Sequence, residues 1–224
     1  MKKIFFTLII AALSLPSIAD ERPLKKEKKS FLQQNEGGEK CFDENTHIIN
    51  LGVGFGSRSY HSISRGAGFS SGTTPAFSLT YEQALKKKLG PGYLGVGAYL
   101  GFQHQYYKYD YSYYDNGLNY YTYYSHHKWN YYMVAARAAY HWDVLNSKNA
   151  EVYAGVVIGM RFQIHNYETN DPGKKDPYTY TQSFAYPAYS VFAGARWYFA
   201  KNFGLFAEAG YGISYINAGF SIKF

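Results

Sequence analysis

The chain has 224 residues, of which 17% are charged and 20% aromatic, and its formal net charge is +7. A single cysteine excludes the disulfide-rich secreted domains, and the lysines and arginines form no basic stripe of the kind that binds nucleic acid. After the N-terminus, no apolar run approaches the ~18 residues of a membrane helix. If this is a membrane protein, it therefore crosses the membrane as strands.

The first 19 residues have the three parts of a secretory signal peptide. Two lysines follow the initial methionine, residues 4–15 form an apolar run, and Ala19 is a small residue at the cleavage position. We predict cleavage before Asp20 and export of the mature chain.

Residues 20–45 differ from the rest of the chain in composition. Lysines are mixed with glutamates and aspartates, and glutamine, asparagine and glycine lie between them. Such a segment cannot bury enough apolar surface to offset its ordering entropy, so we predict a flexible periplasmic segment. Cys41 lies near its end, and either a redox role or a passive thiol is consistent with it. A passive thiol is favoured because no partner cysteine exists.

Residues 46–224 contain eight runs in which apolar residues alternate with small or polar ones, the period of a β-strand. Eight is an even number, as a closed up-and-down barrel with both termini on one side requires. The connections alternate between short turns and long loops, as in outer-membrane barrels. The fold predicted is all-β, an eight-stranded antiparallel transmembrane β-barrel. The runs cover residues 47–58, 76–85, 93–105, 128–142, 150–165 and 187–199, followed by two runs within 202–224.

Charged residues in these runs share a face with the glycines, and long aliphatic side chains form the opposite face. A soluble barrel would turn the aliphatic face inward, but the lumen of an eight-stranded barrel is only just wide enough for side chains. We therefore predict that small and charged residues fill the lumen and that the apolar face meets lipid.

With its signal peptide, eight runs and a last strand ending in Phe224, the chain resembles the small bacterial outer-membrane barrels of the OmpA transmembrane-domain, OmpX and opacity-protein type. The resemblance implies the outer membrane of a Gram-negative bacterium, contact with its lipid and lipopolysaccharide, and a monomer. In that family the final strand is the signal read by the barrel-assembly machinery. The matching residues here are Phe220, Ile222 and Phe224.

Opposite charges are expected to meet in the lumen. A three-residue turn at 201–203 would bring Arg196 directly across from Glu208, with Glu82 and Arg137 at similar depth. This charge network is consistent with a gated ion path in a small pore or with a structural plug. The plug is favoured because eight strands leave no continuous aqueous channel.

An enzyme is the second hypothesis, since eight-stranded outer-membrane barrels include hydrolases and acyltransferases that modify lipid A with a histidine, a serine and an acid. No spacing in this sequence places a serine and an acid beside a histidine, and adjacent strand residues point to opposite faces. We therefore assign no catalytic residue, no metal ligand and no cofactor. The residues considered were His61, Ser62, Ser64, His104, His126 and His127.

Residues 106–124 hold ten tyrosines in nineteen positions, with Asn116-Gly117 as a hairpin signal between them. We predict that the third and fourth strands continue as a ribbon beyond the membrane. Tyrosine offers a large amphipathic contact area at low entropic cost, so the ribbon either binds an extracellular protein or glycan, or is stiffened by cross-strand pairs. The candidate binding residues are Tyr106, Tyr107, Tyr109, Tyr111, Tyr113, Tyr114, Tyr120, Tyr121, Tyr123 and Tyr124, and Tyr167, Tyr178 and Tyr180 of the next loop add to them.

The sequence therefore predicts a non-enzymatic outer-membrane barrel that serves in surface binding, adhesion or envelope integrity.

Overall fold

The computed structural model describes residues 40–57, 68–115, 119–143, 145, 147–173 and 180–224. The predicted signal peptide and residues 20–39 of the predicted flexible segment lie outside the described residues. Within the described ranges there is no helix long and apolar enough to span a membrane.

The described part of the chain consists of antiparallel strands joined by turns. They are β1 (His47–Ser57), β2 (Phe69–Thr73), β3 (Ala76–Leu89), β4 (Gly92–Asp115), β5 (Asn119–Trp142), β6 (Ala150–Thr169), β7 (Tyr180–Tyr198), β8 (Phe203–Tyr211) and β9 (Ser214–Lys223). The predicted continuation of the third and fourth strands is observed, because β4 and β5 stay paired as far as Asp115 and Asn119.

Eight of these strands close into a ring. The order is β1, β3, β4, β5, β6, β7, β8 and β9, and β9 pairs with β1 to complete it. β2 pairs with β4 alone and continues the line of β3 beyond Thr74 and Pro75, where proline cannot donate a ladder hydrogen bond. The predicted eight-stranded antiparallel barrel is therefore confirmed.

The two faces of the barrel wall are divided as the alternation predicts. Val134, Ile158 and Phe220 are 53%, 65% and 62% exposed on the outside, whereas the lumen-facing Arg196 is only 1% exposed. The lumen is narrow: a Cβ added to Gly52 would lie 2.5 Å from Asn217 Oδ1. An outer surface this rich in large apolar side chains suits lipid rather than water.

The register between β7 and β8 differs from the one expected. Gly194, not Arg196, lies opposite Glu208, and Arg196 lies opposite Phe206. The reason is that the connection spans residues 199–202, with Phe203 already in β8 and Tyr198 paired with Gly204. The shift is two residues, so both charged side chains still point into the lumen, but not at each other.

Residues 40–46 close the end of the barrel that carries the short turns, which we call the turn end. Phe42 stacks on His141 with ring centroids 3.7 Å apart, and Lys223 Nζ donates a hydrogen bond to the carbonyl of Cys41 (3.3 Å). Flexibility was expected as far as residue 45, yet Cys41 and Phe42 are buried. The expectation was based on the polar composition of residues 20–45 as a whole. These two apolar side chains can nevertheless be buried against the barrel.

Within residues 40–46, two side chains have shifted pKa values. Burial raises the pKa of the Cys41 thiol to about 12, which keeps it protonated and weakly nucleophilic at neutral pH. The hydrogen bond to Asp143, whose carboxylate lies 2.5 Å from the ammonium, raises the pKa of Lys40. The thiol is thus suited to packing rather than to exchange chemistry.

Candidate functional site

The opposite end of the barrel, which we call the loop end, has an uneven rim. β8 and β9 end at Tyr211 and Ser214, whereas β4 and β5 extend to Asp115 and Asn119. β6 and β7 also extend past the end of β8. The last pair between β7 and β8 is Val191 with Tyr211, whereas β6 and β7 stay paired as far as Tyr167 with Tyr180. We call this tall wall the loop-end sheet; it comprises residues 69–73, 105–115, 119–129, 165–169 and 180–182.

The faces of the loop-end sheet continue those of the barrel wall. The register of β4 with β5 and that of β5 with β6 do not shift along their lengths, so every second residue stays on the lumen side. Trp129 and Tyr167 on this side are buried, as is Tyr131 below them. The lumen side of the sheet carries rings from five strands, which together we call the aromatic inner face: Phe69, Tyr107, Tyr109, Tyr111, Tyr121, Tyr123, His127, Trp129, His165, Tyr167 and Tyr180.

In the upper part of the aromatic inner face, rings from β2, β4 and β5 pack in a row. Phe69 stacks on Tyr109 with centroids 4.1 Å apart. Tyr109 stacks on Tyr111 at 5.2 Å, and Tyr111 meets Tyr123 across the strands at 5.7 Å. Pairs this close contribute roughly 0.5–1.5 kcal/mol each beyond area burial.

The lower part is built around two histidines and a tryptophan. His127 Nδ1 and His165 Nε2 are 2.9 Å apart and share a hydrogen bond. The Trp129 ring lies 4.8 Å from that of His165, nearly parallel to it. Tyr167 contacts His127 at 4.7 Å and Tyr180 at 5.0 Å, which extends the surface to β7. Tyr107, 6.1 Å from His127 and 6.0 Å from Phe69, joins the two parts.

The other face of the loop-end sheet is polar and charged. Lys128 Nζ lies 3.4 Å from Glu168, and His126 lies 3.6 Å from Asp110. This outer face also carries Tyr106, Tyr120 and Tyr124. Each is adjacent in sequence to an inner-face tyrosine, and adjacent residues of a strand point to opposite faces. The outer face thus carries the charged pairs, with tyrosines among them, whereas the contiguous rings lie on the inner face.

The tyrosines predicted to bind a ligand are thus divided between two faces. Tyr107, Tyr109, Tyr111, Tyr121 and Tyr123 belong to the aromatic inner face, and Tyr106, Tyr120 and Tyr124 to the outer face. The side chains of Tyr113 and Tyr114, together with Tyr178 and Asn116-Gly117, lie outside the described residues. Sequence reasoning overlooked Phe69, Trp129 and His165 as members of this surface. The alternation of β5 and β6 already put the last two on the lumen side.

Below the aromatic inner face, the lumen contains a buried network of charged side chains. Arg137 Nε lies 3.0 Å from Glu82 Oε2, and Arg137 Nη2 lies 2.6 Å from Glu208 Oε1. Arg196 pairs with Glu151 and lies 3.9 Å from Glu82. The four residues proposed from the sequence are therefore brought together, but Arg196 and Glu208 do not pair with each other.

Two members of this network were not identified from the sequence. Glu151 accepts from Arg196, and His141 contacts Glu151 at 2.9 Å and also contacts Glu82. His141 lies an even number of residues from Arg137 on the same strand, and Glu151 lies an even number from Tyr153. The alternation of the strands therefore already placed both side chains in the lumen. Glu151 was overlooked because it stands at the very start of its run, beside the turn.

Aromatic rings fill the space around these charges. Arg137 lies 3.9 Å from the centre of the Phe192 ring, and Arg196 lies 4.4 Å from that of Tyr153, whose hydroxyl donates to Glu208 at 2.9 Å. A cavity of about 30 Å³ lies on the loop side of Arg137, and one of about 10 Å³ lies beside Phe42. Each has room for about one or two water molecules. This arrangement supports a plug.

We expect the purified barrel to give no steady, large conductance in a planar lipid bilayer, because the charged network and its rings occupy the lumen. A sixteen-stranded porin in the same bilayer provides the positive control. A steady, large conductance from this chain at several voltages would contradict the plug and favour the small pore.

The histidines considered for catalysis are dispersed. His104 Nδ1 is hydrogen-bonded to Asn130 (2.8 Å), and His126 faces Asp110, so the described partners are an amide and a carboxylate rather than a serine hydroxyl. His127 points to the opposite face from His126 and bonds His165. His61, Ser62 and Ser64 lie outside the described residues.

No family model matches the chain, and no curated protein sequence matches it significantly. Among solved structures, the chain is similar to Ail, the attachment invasion locus protein of Yersinia pestis, with a TM-score of 0.37, 12% identity and coverage of 82% of this chain and 100% of that one. Ail in complex with the heparin analogue sucrose octasulfate gives a TM-score of 0.39 at the same identity and coverage. The N-terminal β-barrel domain of Pseudomonas aeruginosa OprF gives 0.33 at 13% identity, covering 81% of this chain and 98% of that domain.

The strand order and the outward apolar surface of this chain come from its own structure and do not depend on these similarities. In its strand order and in its outward apolar surface, the chain has the architecture of the small outer-membrane β-barrels that its sequence resembles.

Proposed function

We propose that this chain is a non-enzymatic protein of the outer membrane of a Gram-negative bacterium, and that it attaches to a ligand outside the cell. In this proposal the loop-end sheet faces the exterior and the turn end faces the periplasm. The chain acts as a monomer in contact with lipid and lipopolysaccharide, and needs no cofactor.

The observation that supports this proposal is the contiguity of the aromatic inner face. Stiffening of a ribbon requires only pairs across two strands, such as Tyr111 with Tyr123. Here the rings continue from β2 to β7 and include Trp129 and the two histidines, beyond what a two-stranded ribbon needs. Clustered aromatic side chains are the residues that most often dominate binding energy.

The lumen supports a passive role for the barrel itself. Arg137 is paired with two carboxylates and aromatic rings fill most of the remaining space, so the wall serves to hold the loop-end sheet rigidly. Binding surfaces carried on paired strands keep their geometry better than those on loops.

The test compares two double variants that differ only in the face they change. Bacteria displaying the barrel are applied to immobilised glycans and extracellular-matrix proteins. We expect Tyr109→Ser with Tyr123→Ser, on the inner face, to lower attachment about tenfold, because two aromatic anchors are removed. Tyr106→Ser with Tyr124→Ser, on the outer face of the same strands, serves as the matched control.

Attachment by the control variant should stay within about twofold of the unchanged barrel, since its tyrosines lie outside the proposed surface. The amount of folded barrel at the cell surface is measured for each variant by its migration on unheated gels. An equal fall in attachment for both variants, or no fall for either, would refute the assignment of the inner face.

A further inference from the structure

We infer that the aromatic inner face binds an uncharged oligosaccharide whose pyranose rings lie against its aromatic side chains. This deepens the proposed function and rests on it, because it names the chemistry of the ligand that the same surface takes.

The geometry of the lower part of the face suits sugar rings. Trp129, His127 and His165 lie with centroids 4.8–5.5 Å apart and planes within 14° of parallel. Trp129 is buried within this group, whereas the two imidazoles are partly exposed and open to a ligand. Tyr180 stands at 90° to His165, at the side of this group. One side of a pyranose ring presents C–H groups, and the electron-rich face of an aromatic ring attracts their partial positive charge.

Polar atoms are placed between the rings. The Tyr111 hydroxyl is hydrogen-bonded to Asp171, and the imidazoles of His127 and His165 share a hydrogen bond on the same face. Phenol and imidazole groups act both as donors and as acceptors, which matches the hydroxyl groups of a sugar. A mainly apolar surface with a few oriented polar groups is typical of small-molecule binding sites.

The distribution of charge favours an uncharged ligand over a sulfated or phosphorylated one. Lys108 and Lys128 of the loop-end sheet both lie on its outer face, and Lys128 is already paired with Glu168. Arg161 lies below the face, buried beside the Tyr131 ring. The carboxylate of Asp171 at the upper part would repel an anion. A polyanion would require cations on the inner face, where the described residues supply aromatic rings and hydroxyls.

A reporter for this binding is built into the chain. The sequence has three tryptophans, and Trp142 and Trp197 are on the lipid-facing surface near the turn end. Changing both to phenylalanine leaves Trp129 of the inner face as the sole source of tryptophan fluorescence. The folded barrel in detergent micelles is titrated separately with maltohexaose, cellohexaose and hexa-N-acetylchitohexaose, all of which are uncharged.

We expect at least one of these hexasaccharides to change the Trp129 emission saturably, with a Kd of about 1 mM or tighter. In the same background, Tyr167→Ser should raise that Kd about tenfold, because the buried Tyr167 ring packs against His127 and Tyr180 and holds both in position. Tyr124→Ser, on the outer face, should leave it within about twofold.

The inference is overturned if none of the three hexasaccharides alters the emission, or if a heparin fragment binds more tightly than they do. Loss of attachment to matrix proteins in the Tyr109→Ser, Tyr123→Ser variant, without any hexasaccharide binding, would leave the proposed function standing with a protein ligand. Hexasaccharide binding that Tyr167→Ser abolishes, combined with unchanged cell attachment, would instead contradict the proposed function.

Discussion

Replacement of Arg137 by methionine should lower the free energy of unfolding of the barrel by about 3–5 kcal/mol. The guanidinium contacts Glu82 at 3.0 Å and Glu208 at 2.6 Å, and all three side chains are almost fully buried. Removing the cation leaves carboxylates in a site from which water is largely excluded. Urea unfolding of the barrel in lipid vesicles, followed by tryptophan fluorescence, measures the difference.

Two further variants separate the charge effect from the loss of packing. Adding Glu208→Gln to Arg137→Met should recover part of the stability, because one unpaired carboxylate is neutralised while Glu82 keeps its contacts with His141 and Arg196. Arg161→Met should cost about 1 kcal/mol, since that guanidinium lies over the Tyr131 ring and, among the described residues, has no carboxylate partner. Equal losses for Arg137→Met and Arg161→Met would contradict a role for the ion pairs.

Deletion of Phe224 should reduce the amount of folded barrel in the outer membrane several-fold. The backbone of Phe224 exchanges two hydrogen bonds of 3.0 Å with His47, at the seam where β9 meets β1, and its ring is 58% exposed. An exposed ring directly after β9 is accessible to the barrel-assembly machinery, which we propose recognises Phe220, Ile222 and Phe224. Folded barrel is quantified in membrane fractions by its altered migration on unheated gels.

Phe203→Ser provides the matched control for this deletion. Phe203 is a lipid-facing aromatic residue at the same end of the barrel, 52% exposed, but it stands at the start of β8 rather than directly after β9. We expect it to have a smaller effect on assembly. The variant lacking Phe224 should also refold into lipid vesicles without the machinery, because most of the β1–β9 ladder remains. If Phe203→Ser lowered the yield equally, the effect would belong to lipid-facing aromatic residues at this end of the barrel in general, and not to Phe224 in particular.

Part of the aromatic inner face could be predicted from the sequence. The density of tyrosines in 106–124 and the hairpin signal indicated a projecting ribbon, and β4 and β5 have that form. Alternation along one strand divides the tyrosines into two sets but does not say which set meets the rings of other strands. Phe69 and His165 join the face only because β2 and β6 pair with β4 and β5 in a particular register.

The charge network shows the same limit at the level of individual pairs. A difference of two residues in the connection between β7 and β8 was enough to place Glu208 opposite Gly194 instead of Arg196. The partner of Glu208, Arg137, comes from a strand that is not its neighbour in the ring. Contacts across a lumen depend on the closure of the barrel, which no local pattern describes.

The sequence by itself determined the class of fold, the number of strands in the ring and the direction of each face. Those properties follow from a period of two residues and from the narrow lumen, which are local in origin. Only the tertiary structure decided which carboxylate meets which arginine, how residues 40–46 close the turn end, and which rings form one surface. Each of these depends on register and on contacts between strands distant in the chain, where a shift of one or two residues exchanges every partner.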